Sequence, residues 1–277
     1  MYRVNDARKS YSEALTTQYD LIKSRGDVTH IDTETLDAIQ ATALPLHTTS
    51  AIPPYPSGQQ FFAPRVIEND SFFDSLWIYM PKDLPSRDTM ASAKIVCANI
   101  DHAYSMYKIP IEPDRKPSLM EMSGWGRAFN PGISCPREWN IESAYKLRRW
   151  ERPHAMYSLV NETEGEDNRL LRGELLSIMR VIGMFLDSKS YSKDNIFPVM
   201  VFSFGGTKGR ILQAHFNKRG LSVYVGELYD FSTPSNAMRS TSVFLRYMCS
   251  EPKGRTVSGK QYLWEPGSDN GPRSLPN

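Results

Sequence analysis

Hydrophobic positions near the start of the chain recur at helical spacing. The segment from Asp6 to Arg25 predicts an amphipathic helix, because its few large apolar residues stand three or four positions apart. These residues are Tyr11, Leu15, Tyr19 and Ile22. A second, shorter helix is predicted from Thr33 to Leu44, and prolines then interrupt regular structure. We therefore interpret residues 45–64 as a linker.

This pattern divides the chain into three parts. Residues 1–64 are expected to form a helical arm with a proline-rich linker, and residues 65–250 the main core. Residues 251–277 are polar and rich in turn-forming residues, a composition typical of a disordered tail. The apolar stripe of the arm is thin, which favours docking on the core or binding to a partner over independent folding.

The first part of the core has one apolar run and one helical segment. The run from Phe72 to Tyr79 predicts a buried strand. Thr89 is a candidate N-cap for a helix that continues to Tyr107. Between residues 117 and 136, aromatic residues are mixed with glycines and prolines, which predicts an irregular covering loop.

The segment from Arg169 to Phe231 carries the strongest periodicity. Its first part predicts a buried helix, because apolar residues recur three and four positions apart and further apolar neighbours widen the stripe. The recurring residues are Leu171, Leu175, Ile178, Ile182 and Phe185. The acidic approach from Glu162 to Asp167 suits the positive end of the helix dipole, and we interpret it as a solvated helix start.

Three short strands are predicted next, because apolar runs alternate with glycine-containing turns. They cover residues 199–204, 211–216 and 221–225. We expect an antiparallel three-stranded meander packed on the buried helix, and thus an α+β fold with further flanking helices. A final helix is predicted from Ser235 to Cys249.

The last two strands of this meander have one apolar face and one mixed face. If a tight hairpin joins them, alternation along each strand separates the two sets of side chains. The mixed face holds Gln213, His215, Ser222 and Tyr224. It is the first place to expect a site, with Ser222 and Tyr224 as ligand-binding candidates.

Charge and cysteine content exclude some classes of function. The 33 basic and 31 acidic side chains leave a net charge of +2, so no global field draws the protein to nucleic acid or anionic lipid. Three widely spaced cysteines predict reduced thiols. No apolar run reaches the ~20 residues of a membrane span, and the first residues do not resemble a secretory signal. We expect an intracellular protein, cytoplasmic or nuclear, without a membrane partner.

Several catalytic patterns are weak or absent. The segment from Gly205 to Gly209 lacks the Ser or Thr that follows the lysine in a phosphate-binding loop, and we expect it to join two strands. The five histidines lack zinc-ligand spacing, and no GxSxG nucleophile motif is present. We interpret the basic stretch from Lys146 to Arg152 as a solvated helix face.

Four sequence elements within residues 169–231 resemble a set of uncharacterised proteins of filamentous fungi. These elements are LLRGELLSIMRVI, PVMVFSFGG, GRILQAHFN and LYDF. In that set a similar helix precedes a similar strand pair that ends in an LYDF-like motif. The resemblance covers about the last third of the core, and it implies a fungal source without implying catalytic residues.

A glutamate-bearing helix followed by antiparallel strands is also similar in order to the core of PD-(D/E)XK nucleases. The similarity implies that Glu174, Gln213 and His215 surround a magnesium ion and hydrolyse a phosphodiester. The strand departs from the family pattern, since it offers Gln-Ala-His where an acid or Gln and then a Lys would stand. Residues 199–204 also contain no aspartate. We therefore expect this active site to be absent or degenerate.

Three functions remain open from the sequence. The leading hypothesis is a noncatalytic interaction or accessory protein that engages another protein through the N-terminal arm or the mixed sheet face. It rests on regular core periodicity without a convergent set of catalytic groups. The alternatives are a divergent PD-(D/E)XK-like metal-dependent phosphodiesterase and an accessory protein of a fungal biosynthetic pathway.

Overall fold

Six α-helices surround a mixed β-sheet in the part of the chain that the structure describes. The computed structural model describes residues 2–26, 28–48, 61–65, 88–106, 117–128, 134–135, 137–148 and 152–257. The helices are α1 (Tyr2–Ser24), α2 (Thr33–Ala38), α3 (Thr89–Met106), α4 (Leu119–Ser123), α5 (Arg172–Asp187) and α6 (Pro234–Met248). The predicted strand from Phe72 to Tyr79 lies outside the described residues.

Nine of the thirteen described strands form one sheet, in the order β2-β11-β10-β9-β7-β6-β4, with β12 beside β10 and β5 beside β6. The strands are β1 (His30–Ile31), β2 (Ala41–Leu46), β3 (Phe62–Ala63), β4 (Trp125–Arg127), β5 (Ser134–Cys135), β6 (Trp139–Leu147), β7 (Ala155–Asn161), β8 (Leu170–Leu171), β9 (Val199–Gly205), β10 (Lys208–Asn217), β11 (Gly220–Gly226), β12 (Tyr229–Asp230) and β13 (Glu251–Pro252). Two small ribbons pair β1 with β8 and β13 with β3.

The sheet is larger than the three-stranded one that the sequence predicted. The α+β class is confirmed, but β9, β10 and β11 lie inside a sheet that mixes parallel and antiparallel pairs. Two neighbours come from distant parts of the chain and run parallel: β7 beside β9, and β2 beside β11. Periodicity within one segment carries no signal for such long-range pairing, which is why the sequence pattern missed it.

Strand β2 corrects the prediction of a helix to Leu44 followed by a linker. Helix α2 ends at Ala38, and Gln40 has a positive φ of 51°, so the backbone leaves the helical path there. Residues 41–46 then pair in parallel with β11, from Ala41 beside Leu221 onward. Pro45 is tolerated because β2 is the last strand at its side of the sheet.

Two further loop and helix predictions are wrong. The region from 117 to 136 contains α4, β4 and β5 rather than only an irregular loop. Lys146 and Leu147 end strand β6, which pairs with β4, so the basic stretch does not begin as a helix face. Short elements of two to five residues give too little periodicity to be recognised in the sequence.

Each face of the sheet has its own hydrophobic core. On one face, α1 and α5 pack against alternate residues of the central strands, including Leu212, Ala214 and Val223. On the other face, α3 and α6 pack against the residues between them, including Ile211 and Tyr224. The described part of residues 1–64 therefore shares a core and a sheet with the rest of the chain, through α1 and β2.

Candidate binding groove

Glu174 lies in the first turn of α5 and is fully buried. Its carboxylate accepts two hydrogen bonds from Arg210, Nε to Oε1 at 2.8 Å and Nη2 to Oε2 at 2.5 Å. It also accepts the backbone N–H of Leu171 at 2.8 Å. Arg210, 1% exposed, further donates to the carbonyls of Glu166 and Arg169. This ion pair is fully hydrogen-bonded and ties α5, β10 and the loop before α5 together.

Gln213 and His215 lie on the opposite face of the same strand. Both are buried, and they pair with Tyr224 and Ser222 of β11, which the sequence assigned to the same face of the hairpin. The His215 ring lies 4.9 Å from the ring of Phe61 and 6.3 Å from the ring of Tyr224. Phe61 thus covers this part of the mixed face.

The sheet itself separates the residues that a nuclease-like site would bring together. Arg210 is even-numbered on β10 and meets Glu174 on the α5 side, whereas Gln213 and His215 are odd-numbered and face the other way. The Glu174 carboxylate therefore does not lie beside Gln213 and His215. The order of the elements along the chain could not reveal this, because a one-residue change of register moves a side chain to the other face.

Two buried histidines on the α3 and α6 side of the sheet are held neutral. Burial lowers the pKa of His154 and of His215 to about 4. His154 Nε2 lies 3.0 Å from the carbonyl oxygen of Lys253, and its ring packs on Phe62. Both imidazoles are shielded from solvent, so neither is placed to accept a proton from a substrate.

A buried carboxyl group, Asp101, lies between α3 and the sheet on the same face. Ser158 donates to its Oδ1 at 3.2 Å, and burial raises the pKa of Asp101. Cys97, one turn earlier on α3, is 1% exposed, and burial raises the pKa of its thiol well above the usual value. The Asp101 carboxyl group is thus enclosed, and the Cys97 thiol is unreactive as a nucleophile.

One open concave surface of the described residues is a groove between α1 and α5. Its volume is about 780 Å³. The side chains that line it are Ser12, Leu15, Thr16, Tyr19, Asp20, Lys23, Ser134, Trp139, Met179, Arg180, Gly183, Met184, Asp187 and Ser188. From Ser12 to Lys23 the groove is about 16 Å long at 1.5 Å per helical residue. An extended peptide of about five residues spans that length.

Two arginines fix the two helices that form this groove. Arg8 of α1 donates to carbonyls at the end of α5, including Phe185 at 3.0 Å and Leu186 at 2.9 Å from Nε. Arg172 at the start of α5 donates in turn to the carbonyls of Ile22 and Lys23 at the end of α1. Each guanidinium meets the negative end of the opposite helix. The walls of the groove are therefore held from both ends.

Gly183 forms an open part of the groove wall. A Cβ added to this residue would meet no atom within 4 Å, so packing gives no reason for a glycine in the middle of α5. A glycine there costs about 1 kcal/mol relative to alanine. The helix backbone is therefore open to the groove at this position.

The groove changes character along its length. At one end, Asp187 is exposed, and in the middle Met184 is 44% exposed. At the other end the groove has the two cations Lys23 and Arg180 together with Asp20. Trp139, which is 2% exposed, lies at that end, and its indole N–H has no acceptor among the described residues.

The sequence contained one signal for this surface that periodicity did not use. Gly183 interrupts the apolar helical pattern of residues 172–187. An isolated glycine within a helix usually has a packing or functional reason. The groove itself needs α1 and α5 to lie side by side, and no local pattern predicts that pairing. Ser222 is half-buried and Tyr224 packs within the core of the α3 side, so neither belongs to the groove.

In the described residues no group of three or more His, Cys, Asp or Glu side chains converges on a point that could hold a metal ion. None of their helices combines the length and the apolar character needed to cross a membrane. Comparisons of the chain with protein-family models, with curated proteins and with solved structures found no match.

Proposed function

We propose that the protein is a noncatalytic binding protein, and that it holds an extended segment of a partner protein in the groove between α1 and α5. One observation carries the proposal: the groove is open and held from both ends, and its wall contains Gly183 with empty space above it. This refines the expected use of the N-terminal arm, because α1 supplies one wall.

The two surfaces first considered for binding differ in access. The apolar stripe of α1 is used inside the protein, where Tyr11 contacts Phe216 with ring centroids 5.5 Å apart. The mixed sheet face is covered near His215 by Phe61. The groove remains accessible, and half-exposed Met184 offers a soft apolar contact of the kind that adapts to different partners.

A partner segment suited to this groove has a defined chemistry. Its length is about five residues in extended form, with one or two large apolar side chains near Met184 and Gly183. Its ends carry charges that complement the exposed carboxylate of Asp187 at one side and the cations Lys23 and Arg180 at the other. Backbone carbonyls of such a segment are acceptors for donors in the wall.

Quantitative affinity capture with the natural chain and two variants tests the proposal. Gly183→Trp places an indole in the groove at a position where an added Cβ meets no atom within 4 Å. Thr17→Trp is the matched control, because it adds the same side chain at an exposed position of α1 outside the groove lining. We expect partners captured by the natural chain and by Thr17→Trp to be lost with Gly183→Trp. Equal capture by all three proteins contradicts the use of the groove.

A further inference from the structure

The chain leaves the described body close to one end of the groove. The carbonyl of Thr256 accepts the backbone N–H groups of Asn195 and Ile196, both at 3.0 Å, and its hydroxyl donates to Asp194 at 2.5 Å. Asp194 in turn donates its backbone N–H to the carbonyl of Tyr191. Val257, the last residue described, is 45% exposed.

Tyr191 connects this exit to the end of the groove. Its carbonyl accepts a hydrogen bond from Arg8 at 2.5 Å, and the same guanidinium binds the carbonyl of Ser188. Ser188 lines the groove beside Asp187. The residues after Val257 therefore start next to the Asp187 end of the groove, at the close of α5.

The residues after Val257 contain one aromatic cluster in a polar context. Tyr262, Leu263 and Trp264 stand together, with Lys260 before them and Glu265 after them. The order along the chain is thus a cation, a block of large apolar side chains and an anion. The following residues, 266–277, are rich in proline, glycine and small polar residues.

The groove presents the complementary order when it is followed from the same end. Asp187 comes first, Met184 and Gly183 come next, and Arg180 follows one turn further towards the start of α5. Lys23 of α1 lies at that far end as well, accompanied by Asp20, so cations outnumber anions there. A chain that enters at Asp187 meets an anion, an apolar opening and a cationic end.

The length of the segment matches the distance it has to cover. Trp264 stands seven positions after Val257, a length of about 24 Å for an extended chain. The groove is about 16 Å long. The chain from Val257 to Trp264 is therefore longer than the groove.

We propose that residues 260–265 of the same chain occupy the groove between α1 and α5 and compete there with the partner segment. The side chains of Tyr262 to Trp264 fill the space over Gly183 and Met184, while Lys260 pairs with Asp187 and Glu265 with Arg180. The inference rests on the proposed use of the groove, for which it supplies a regulating occupant. Because this segment is tethered, its effective concentration is about millimolar, so docking with a dissociation constant of about 0.1 mM reduces partner binding about tenfold.

Hydrogen exchange of the full chain tests the docking directly. We expect the amides of residues 261–265 to exchange about tenfold more slowly than in a synthetic peptide of residues 257–270, given the millimolar effective concentration. The variant Gly183→Trp should return them to the rate of the free peptide, whereas Thr17→Trp should not. Exchange at the free-peptide rate in the natural chain overturns the proposal, as does protection that Gly183→Trp leaves unchanged.

A charge exchange tests the register of the docked segment. Arg180→Glu should reduce the protection of residues 261–265, and the pair Arg180→Glu with Glu265→Arg should restore it. Failure of the pair to restore protection that the single variant removes overturns the stated orientation. Protection that rises with protein concentration assigns the occupant to a second copy of the chain, and this also overturns docking within one chain.

A chain that ends at Val257 separates this inference from the proposed function. If the segment competes with a partner, the shortened chain captures that partner about tenfold more tightly, by the same tethering argument. If the partner is captured equally by both lengths but is lost with Gly183→Trp, the competition is excluded and the partner groove stands. If Gly183→Trp changes tail protection but no partner, the groove serves the tail and the proposed function fails.

Discussion

Buried polar groups are accommodated differently on the two faces of the central sheet. On the α1 and α5 face, charges are buried as pairs or against helix ends: Arg210 with Glu174, and Arg8 with the carbonyls that close α5. On the α3 and α6 face, burial shifts the pKa of single groups towards the uncharged form, lowering that of His215 and raising that of Asp101. The paired charges keep their donors and acceptors satisfied, whereas the His215 ring lies beside the ring of Phe61.

The largest expected effect is the loss of the buried ion pair. Glu174→Ala leaves Arg210 charged and uncompensated in the core, so we expect the free energy of unfolding to fall by about 3–5 kcal/mol. Urea denaturation followed by circular dichroism measures it. The matched control is Glu162→Ala, an exposed acid just before the same loop, which should change stability by less than about 0.5 kcal/mol. A gain in stability of the natural chain on addition of a divalent metal ion, absent from Glu174→Ala, would instead point to a ligand role for Glu174.

The second effect concerns the arginine that closes α5. Arg8→Ala removes hydrogen bonds to four carbonyls, those of Phe185, Leu186, Ser188 and Tyr191, and we expect a loss of about 3 kcal/mol. Lys9→Ala serves as the control, because its ammonium is exposed and its pair with Glu13 lies at the surface. Equal melting temperatures for the two variants would show that α1 is not held on α5 in this way.

The neutral face predicts a loss of stability in mild acid. The pKa of His215 is about 4 in the folded protein and about 6.5 when unfolded, so the unfolded chain binds more protons between these values. Stability therefore falls as the pH drops from 7 to 5, by about 2 kcal/mol for His215 and similarly for His154. The raised pKa of Asp101 acts in the opposite direction, since its folded form takes up a proton first.

Comparison with a variant isolates the histidine contribution. His215→Asn cannot titrate in this range, so its stability should depend on pH less steeply than that of the natural chain, by about 2 kcal/mol between pH 7 and 5. Denaturant titrations at the two pH values give the difference. Parallel pH dependence in the two proteins would show that His215 already carries a proton when folded.

The smallest expected effect is a gain on the groove side. Gly183→Ala adds a Cβ where no atom lies within 4 Å and improves helix propensity, so we expect an increase of about 1 kcal/mol in the free energy of unfolding. Gly173→Ala is the contrast, because its Cβ would lie 2.7 Å from the Trp139 ring. Gly173→Ala should lower the free energy of unfolding. An increase in both variants would mean that the open space at Gly183 is not the reason for its gain in stability.

The sequence predicted the elements better than their arrangement. Helices α1, α3, α5 and α6 followed from apolar residues three and four positions apart, and the shared sheet face of Gln213 and Tyr224 followed from strict alternation. Both signals are local. The placement of β2 beside β11 is not local. Its proline-containing sequence is typical of a linker, and only the hydrogen bonds to β11 make it a strand.

The candidate sites show the same limit. Glu174 and His215 were grouped because they follow one another in the order that a nuclease core has. Their separation by the sheet depends on which face of β10 packs on α5, and that face carries Leu212, Ala214 and Phe216 together with Arg210. The groove residues on α1 and α5 are polar and widely spaced in sequence, so only the packing of the two helices brings them together.

Photo-crosslinking from two exposed methionine positions tests the groove most directly. Met184 is 44% exposed in the groove, and Met106 is 60% exposed at the end of α3 on the other face. A photo-reactive residue at each position, in the full chain and in the chain that ends at Val257, reports what lies against each face. The account predicts crosslinks to a partner segment or to residues 260–265 from position 184 and neither from position 106. Crosslinks from position 106 alone would contradict it.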